Sequence, residues 1–223
     1  MLFPQRDESR PLSRFPIAIV LIVAANVVVF LIELALGESF ILRYAMKPAE
    51  VARGEHLETL FTSMFMHANF FHIFGNMLYL WVFGDELEAN YLGPVRFGLF
   101  YLVCGLAAGV LQIAVDPSST VPNLGASGAI AGVLGAFLIV FPRDRILVYI
   151  FPFWHARITA LLLIGFWFVS QLISGVGSIT SATQEGVAYF AHIGGFVAGL
   201  VLVKLFGAGR HPEDERDSLQ LGG

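Results

Sequence analysis

Between Asn123 and Phe137 the chain reads NLGASGAIAGVLGAF. The run is apolar, its side chains are mostly small, and Ser127 stands in it between Gly125 and Gly128. Small side chains at helical spacing let two helices approach closely. In lipid, where no hydrophobic drive pulls helices together, such faces hold them to one another. Ser127, Ala131 and Gly135 form one face of this kind, and His192, Gly195 and Gly199 form another. The two segments are expected to meet backbone to backbone, with the serine and the histidine brought together at the contact.

The surrounding chain sets the solvent. Of 223 residues, 57% are hydrophobic and 13% charged, with a mean hydropathy of +0.74. A soluble domain carries about 25% charged residues, so this chain cannot cover itself with polar surface in water and reads as a membrane protein. The net charge of -4, without a basic stripe, argues against nucleic acid as a partner. The single cysteine, Cys104, excludes an internal disulfide and reads as a small buried hydrophobe. The opening MLFPQRDESRPLSR is too long and too acidic for a signal-peptide n-region.

A hydrocarbon core of roughly 30 Å takes about 20 apolar helical residues. Six segments fit: Phe15–Leu36, Asn69–Gly84, Phe97–Ala114, Ala126–Phe141, a span within Ile158–Ser174, and Gly186–Leu205. The apolar ILVYIFPFW, Ile146–Trp154, is too short to span, contains Pro152, and reads as an interfacial piece. Six spans put both termini on one side with Arg6, Arg10, Arg14, Arg96, Arg143, Arg145, Arg157, Lys204, Arg210 and Arg216, leaving Arg43, Lys47 and Arg53 opposite. By the positive-inside rule both ends are cytoplasmic. The expected fold class is therefore all-α, a polytopic six-helix bundle over residues 15–206. A cytoplasmic tail, 1–14, precedes it, and a polar tail, 207–223, expected to be disordered, follows. The compact chain, with no targeting extension, is read as resident in a prokaryotic cytoplasmic membrane.

Ionisable and polar groups inside spans are expensive and mark functional candidates. They are His67, His72 and Asn76 around the second span, Ser127 in the fourth and His192 in the sixth; Glu33 is read as reaching the interface. His72 and Asn76, four apart, share a helix face. A serine hydroxyl becomes a useful nucleophile when a histidine takes its proton, and the oxyanion that follows needs preorganised donors. The Asn76 amide and the His72 ring are candidates for these, with a backbone N–H near Ser127. Apart from Glu185, no carboxylate lies within the last three spans, so a Ser–His pair without a third acidic member is expected.

Several stretches resemble one family, the rhomboid intramembrane serine proteases. GASGAIAG, Gly125–Gly132, is similar to its nucleophile motif; HANFFHIFGNM, His67–Met77, to its second-helix pattern; and AHIGGFVAG, Ala191–Gly199, to its sixth-helix histidine followed by spaced glycines. FTSMFMH, Phe61–His67, and FGLFYLVCGLAAG, Phe97–Gly109, extend the similarity to about Gly54–Phe206. The resemblance implies Ser127 as nucleophile, His192 as general base and then acid, and Asn76 and His72 lining the oxyanion hole. It implies a structural role for His67, support from Gly125, Gly128, Gly195 and Gly199, and no cofactor or metal. The implied substrates are transmembrane segments of other proteins, reached within the lipid bilayer through a gate at the fifth helix or first loop. Two positions depart from the family pattern. Glu58 and Thr59 stand where many members have Trp-Arg, and Ala131 stands where some have an aromatic residue under the histidine.

Other intramembrane proteases fit poorly, since the chain has neither HExxH nor a pair of membrane aspartates. A transporter would spread polar or broken helices along a pathway, whereas these polar groups gather at one end. A catalytically inactive relative that binds client helices is the remaining alternative; such relatives generally lack the serine or the histidine, and both are present here.

Overall fold

The computed structural model describes residues 2–7, 11–150, 154–180 and 188–208. The tail from residue 209 on, residues 151–153 with Pro152, Arg10, Glu185 and Gly186 lie outside these residues. The chain runs through β1 (Leu2–Asp7), α1 (Ile17–Leu36), α2 (Glu38–Tyr44), α3 (Pro48–Ala52), α4 (Thr59–Thr62), α5 (Phe70–Leu87), α6 (Pro94–Val115) and α7 (Ser127–Val140). It continues with β2 (Arg145–Ile150), β3 (Trp154–Thr159), α8 (Ala160–Thr180) and α9 (Tyr189–Phe206). The fold is mostly helical. Four helices, α1, α6, α8 and α9, are long and apolar enough to cross a membrane. They turn Leu, Val and Phe outward, as at Leu21, Val110, Phe166 and Val201, which suits contact with lipid tails.

Helix α7 occupies the middle. Its 14 residues reach about 21 Å at 1.5 Å per residue, less than the hydrocarbon thickness, and every residue from Gly128 to Phe137 is buried. A helix apolar all round belongs in such a position. It is reached from α6 by a polar connection, residues 116–126, that is strapped to the loop after α1. Met46 and Asn123 exchange backbone hydrogen bonds of 2.9 and 2.7 Å, Ser119 accepts from the Ala49 N–H at 2.9 Å, and Ser63 accepts from the Gly125 N–H at 2.9 Å.

The seam between α7 and α9 is made of glycine. A Cβ on Gly195 would overlap the Gly128 carbonyl, one on Gly199 the Gly132 carbonyl, and one on Gly135 the Phe196 carbonyl. The face of α7 turned to α9 is thus Gly128, Gly132 and Gly135 rather than the expected Ser127, Ala131 and Gly135. Helix α6 closes on the other side, with Ala108 against Gly128 and Cys104 against Gly132. Beyond this seam the core is aromatic: Phe83, Phe137 and Phe141 stack edge to face at 5.3 and 5.2 Å.

A three-stranded antiparallel sheet in the order β1-β2-β3 departs from the expected all-α class. The apolar run expected as an interfacial piece supplies most of β2 and the start of β3, Ile146 facing Ile158 and Ile150 facing Trp154. Alternate residues Ile146 and Val148 are buried, the period-two pattern of a half-covered strand. Residues 2–7 of the expected tail form its third strand, Leu2 opposite Ile150. Pro4 sits on this edge strand at a register shift, the place where a missing N–H is tolerated. Helix α1 begins on a buried carboxylate: Glu88 accepts from the N–H groups of Ala18 and Ile19, each at 2.9 Å. Two of the otherwise orphaned donors of its first turn are thereby satisfied.

Substituting Gly199 by Val forces α7 and α9 apart, and overpacking of this kind costs about 1–3 kcal/mol or more. Gly98 has no heavy atom within 4 Å of an added Cβ, so Gly98→Ala is expected to be tolerated. Thermal unfolding of the two variants in detergent checks the contrast. A Gly199→Val protein as stable as the parent would refute the backbone contact.

Candidate active site

Ser127 is the first residue of α7, and its placement depends on Gly125. That residue has φ of +133°, a conformation L side chains rarely adopt, and a Cβ there would stand 3.0 Å from the His72 ring. Both the turn and the close approach of His72 require glycine. Ala126 provides no side-chain cap to α7, so the first-turn N–H groups lack an intrahelical partner and the positive end of the helix dipole faces the serine.

His192 lies in the first turn of α9, which starts at Tyr189. The glycine seam sets the height of α9 against α7, and His192 Nε2 comes to 2.8 Å from Ser127 Oγ. The other ring nitrogen, Nδ1, is 2.7 Å from Gln171 Oε1 on α8. The Trp167 ring, also on α8, flanks the imidazole with centroids 5.9 Å apart. The aromatic neighbour that Ala131 cannot supply is thus provided by another helix. The serine–histidine contact was legible in the sequence; Gln171 was not singled out, although an amide inside the apolar FWFVSQLISG is a signal of the same kind.

Helix α5 faces the pair. Its N-cap is Asn69, whose side chain accepts from the His72 N–H at 2.9 Å, and His72 lies one turn above Asn76. His72 Nδ1 accepts from the Ala68 N–H at 3.4 Å, an arrangement that places the ring proton on Nε2. Asn76 is buried, and its Nδ2 has no hydrogen-bond partner among the described residues. An orphaned buried donor costs about 1–3 kcal/mol, so its presence beside a serine calls for an explanation in function. His72, Asn76, Ser127 and His192 all line one cavity of about 570 Å³, whose walls include Tyr79 of α5 and Trp167 of α8.

His67 stands behind this group. It is 1% exposed, its ring meets that of His72 edge to face at 5.1 Å, and its backbone N–H donates to the Glu33 carboxylate at 3.1 Å. Glu33 does not reach the interface; it is 3% exposed and braces the start of α5 from α1. Gly128, Gly195 and Gly199 form the seam, and Gly125 the turn. In the loop after α1, Glu58 accepts from Arg43 at 2.9 Å and the Thr59 hydroxyl donates to the His56 carbonyl at 2.7 Å. The exposed Glu58 carboxyl is held below its ordinary range, first by its own backbone N–H and then by Arg43. The loop therefore closes with an arginine contributed by α2. Among the described residues no three His, Cys, Asp or Glu side chains converge as metal ligands.

Residues 54–209 match the family model described as Rhomboid domain. Similar proteins include Rhomboid protein 1, mitochondrial, of Saccharomyces cerevisiae, 34% identical over 62% of this chain and 39% of that one. RHOMBOID-like protein 1 of Arabidopsis thaliana is 31% identical over 73% of this chain and 38% of that one. Rhomboid protease GluP of Bacillus subtilis is 29% identical over 80% of this chain and 32% of that one. The chain thus spans about a third to two fifths of the length of these relatives. With the family model covering well over half of its residues, the chain belongs to the rhomboid family.

Proposed function

We propose that this multi-pass membrane protein is an intramembrane serine endopeptidase that hydrolyses peptide bonds in or near transmembrane segments of other membrane proteins. The observation that carries the reading is the 2.8 Å contact between Ser127 Oγ and His192 Nε2 at the wall of a cavity that also holds an unpartnered Asn76 amide. In this reading His192 Nε2 takes the hydroxyl proton as Ser127 Oγ attacks the scissile carbonyl. Asn76 Nδ2, the His72 ring N–H and the first-turn N–H of α7 receive the oxyanion. His192 then protonates the leaving amine, and water from the cavity, activated by the same histidine, hydrolyses the acyl-enzyme. The residues require no cofactor for these steps. A client-binding protein without activity would have no use for an orphaned donor beside a paired serine.

The proposed span count is six, adding α5 and the short α7 to the four long apolar helices, with the bundle over 15–206 and both termini cytoplasmic on the arginine-rich side. Helices α5, α7 and α9 then all begin at the outer face, which puts His72, Ser127 and His192 at one depth. The similar proteins include one from Bacillus and one named mitochondrial, so their names do not separate a prokaryotic cytoplasmic membrane from a mitochondrial one.

Purified protein in liposomes, given a fluorophosphonate probe and a generic transmembrane substrate, tests the reading. Wild type is expected to be labelled and to cleave, while Ser127→Ala and His192→Ala lose both; a Ser127→Ala protein that still cleaves overturns the assignment. Asn76→Ala is expected to lower turnover by about 10²–10³-fold, the usual cost of one oxyanion donor. Its melting midpoint should not fall below the parent's, since the amide N–H₂ it loses had no partner.

A further inference from the structure

The hydrogen bonds around His192 continue away from the serine and end at a fixed point. Ser170 Oγ lies 2.6 Å from the Trp167 carbonyl, one turn back on α8. A carbonyl can only accept, so the Ser170 hydroxyl proton is committed to it and its oxygen is left as an acceptor. Gln171 Nε2 lies 3.4 Å from that oxygen and donates to it. The other end of the same amide, Oε1, then faces His192 Nδ1 at 2.7 Å. An amide oxygen cannot donate, so Nδ1 must carry the ring proton, and Nε2 presents its lone pair to the Ser127 hydroxyl at 2.8 Å. Each bond in this series runs in one direction, and the direction is set by the Trp167 carbonyl.

We infer that Gln171 is a positioning residue: anchored through Ser170 to the α8 backbone, its amide oxygen fixes His192 in the tautomer that can take the Ser127 proton. The inference rests on the reading of Ser127 and His192 as nucleophile and base. It supplies what a bare pair lacks. A neutral imidazole has two tautomers, and only the one protonated at Nδ1 can act as base toward Ser127. None of α7, α8 and α9 contains an Asp or Glu, so the third member is an amide. An amide orients the ring without placing a charge among apolar side chains, where an isolated charge is costly. The residue belongs to neither helix of the glycine seam. It is held against His192 by α8, whose Phe168 stacks on Phe196 of α9 at 4.1 Å.

The test uses the full chain in detergent with two readouts, the ring ¹⁵N spectrum of His192, assigned by its loss in His192→Ala, and the fluorophosphonate labelling rate of Ser127 against pH. In the parent the ring should be protonated at Nδ1. Gln171→Leu should lose that preference and label about 10- to 100-fold more slowly, the range found when the outer hydrogen-bond partner of a metal-bound histidine is removed, with an unchanged melting midpoint. Gln171→Glu keeps the acceptor and should recover most of the rate. An anionic acceptor favours the protonated ring, so the labelling lost on acidification should be lost at higher pH than in the parent. His72 and Tyr79 of α5 are the other titratable groups on this cavity, and they are unchanged in both variants. Parental labelling by Gln171→Leu, or a parent ring protonated at Nε2, overturns the inference. So does equal slowing by Leu and Glu with a lowered melting midpoint, which would mark a packing role. A parent that is not labelled, but whose ring tautomer depends on Gln171, would refute the protease reading and leave the positioning role standing.

Discussion

Carbonyl oxygens of one helix lie where the next helix has no side chain: this contact between α7 and α9 governs the rest of the molecule. Gly195 and Gly199 sit on the carbonyls of Gly128 and Gly132, so the two backbones are as close as helices can come. Such a contact tolerates neither rotation nor sliding, because any other residue turned into the seam brings a Cβ into a carbonyl. It therefore defines the height and phase of both helices. A serine at the first position of one and a histidine in the first turn of the other are then held at hydrogen-bond distance without any contact of their own being needed to draw them together. In lipid, with no apolar solvation gain from helix association, close packing of small residues is the available source of that rigidity.

Around the seam the polar groups are held by partners drawn from distant parts of the chain. Glu88, at the end of α5, closes the start of α1, and Glu33, near the end of α1, accepts from the His67 backbone N–H just ahead of α5. Each of the two helices thus supplies a buried carboxylate to backbone at, or just ahead of, the other's start. The connection before α7 is tied to the loop after α1 by backbone pairs alone, which needs no particular side chain and leaves the cavity wall free for the asparagine and histidine that line it.

The positions of the apolar helices were legible in the sequence because long apolar runs have few alternatives in a membrane, and the polar residues interrupting them were few enough to name. The contact face of α7 was only partly legible. Ser127, Ala131 and Gly135 and the observed Gly128, Gly132 and Gly135 are both runs of small residues, lie on adjoining faces of the helix, and share Gly135. Only the neighbour's carbonyls decide between them. Glu33 was misread because its depth depends on a loop that folds back over it, which nothing in α1 reveals. Gln171 was passed over because its partner is 21 residues away on another helix. The hairpin was hidden by brevity: six-residue strands of an apolar chain look like a fragment of a span until their pairing is known.

The sheet also imposes an order of assembly. Strands β2 and β3 are neighbours in the chain and can pair as soon as they are made. Strand β1 pairs with β2, and about 140 residues separate them, which at roughly 5–20 residues per second are some 10 s of synthesis. Throughout that interval α1, α5, α6 and α7 are made and inserted while residues 2–7 have no strand to join. Residues 2–7 wait for a partner made long after them, and until they pair the hairpin keeps an open edge that any other extended segment can occupy.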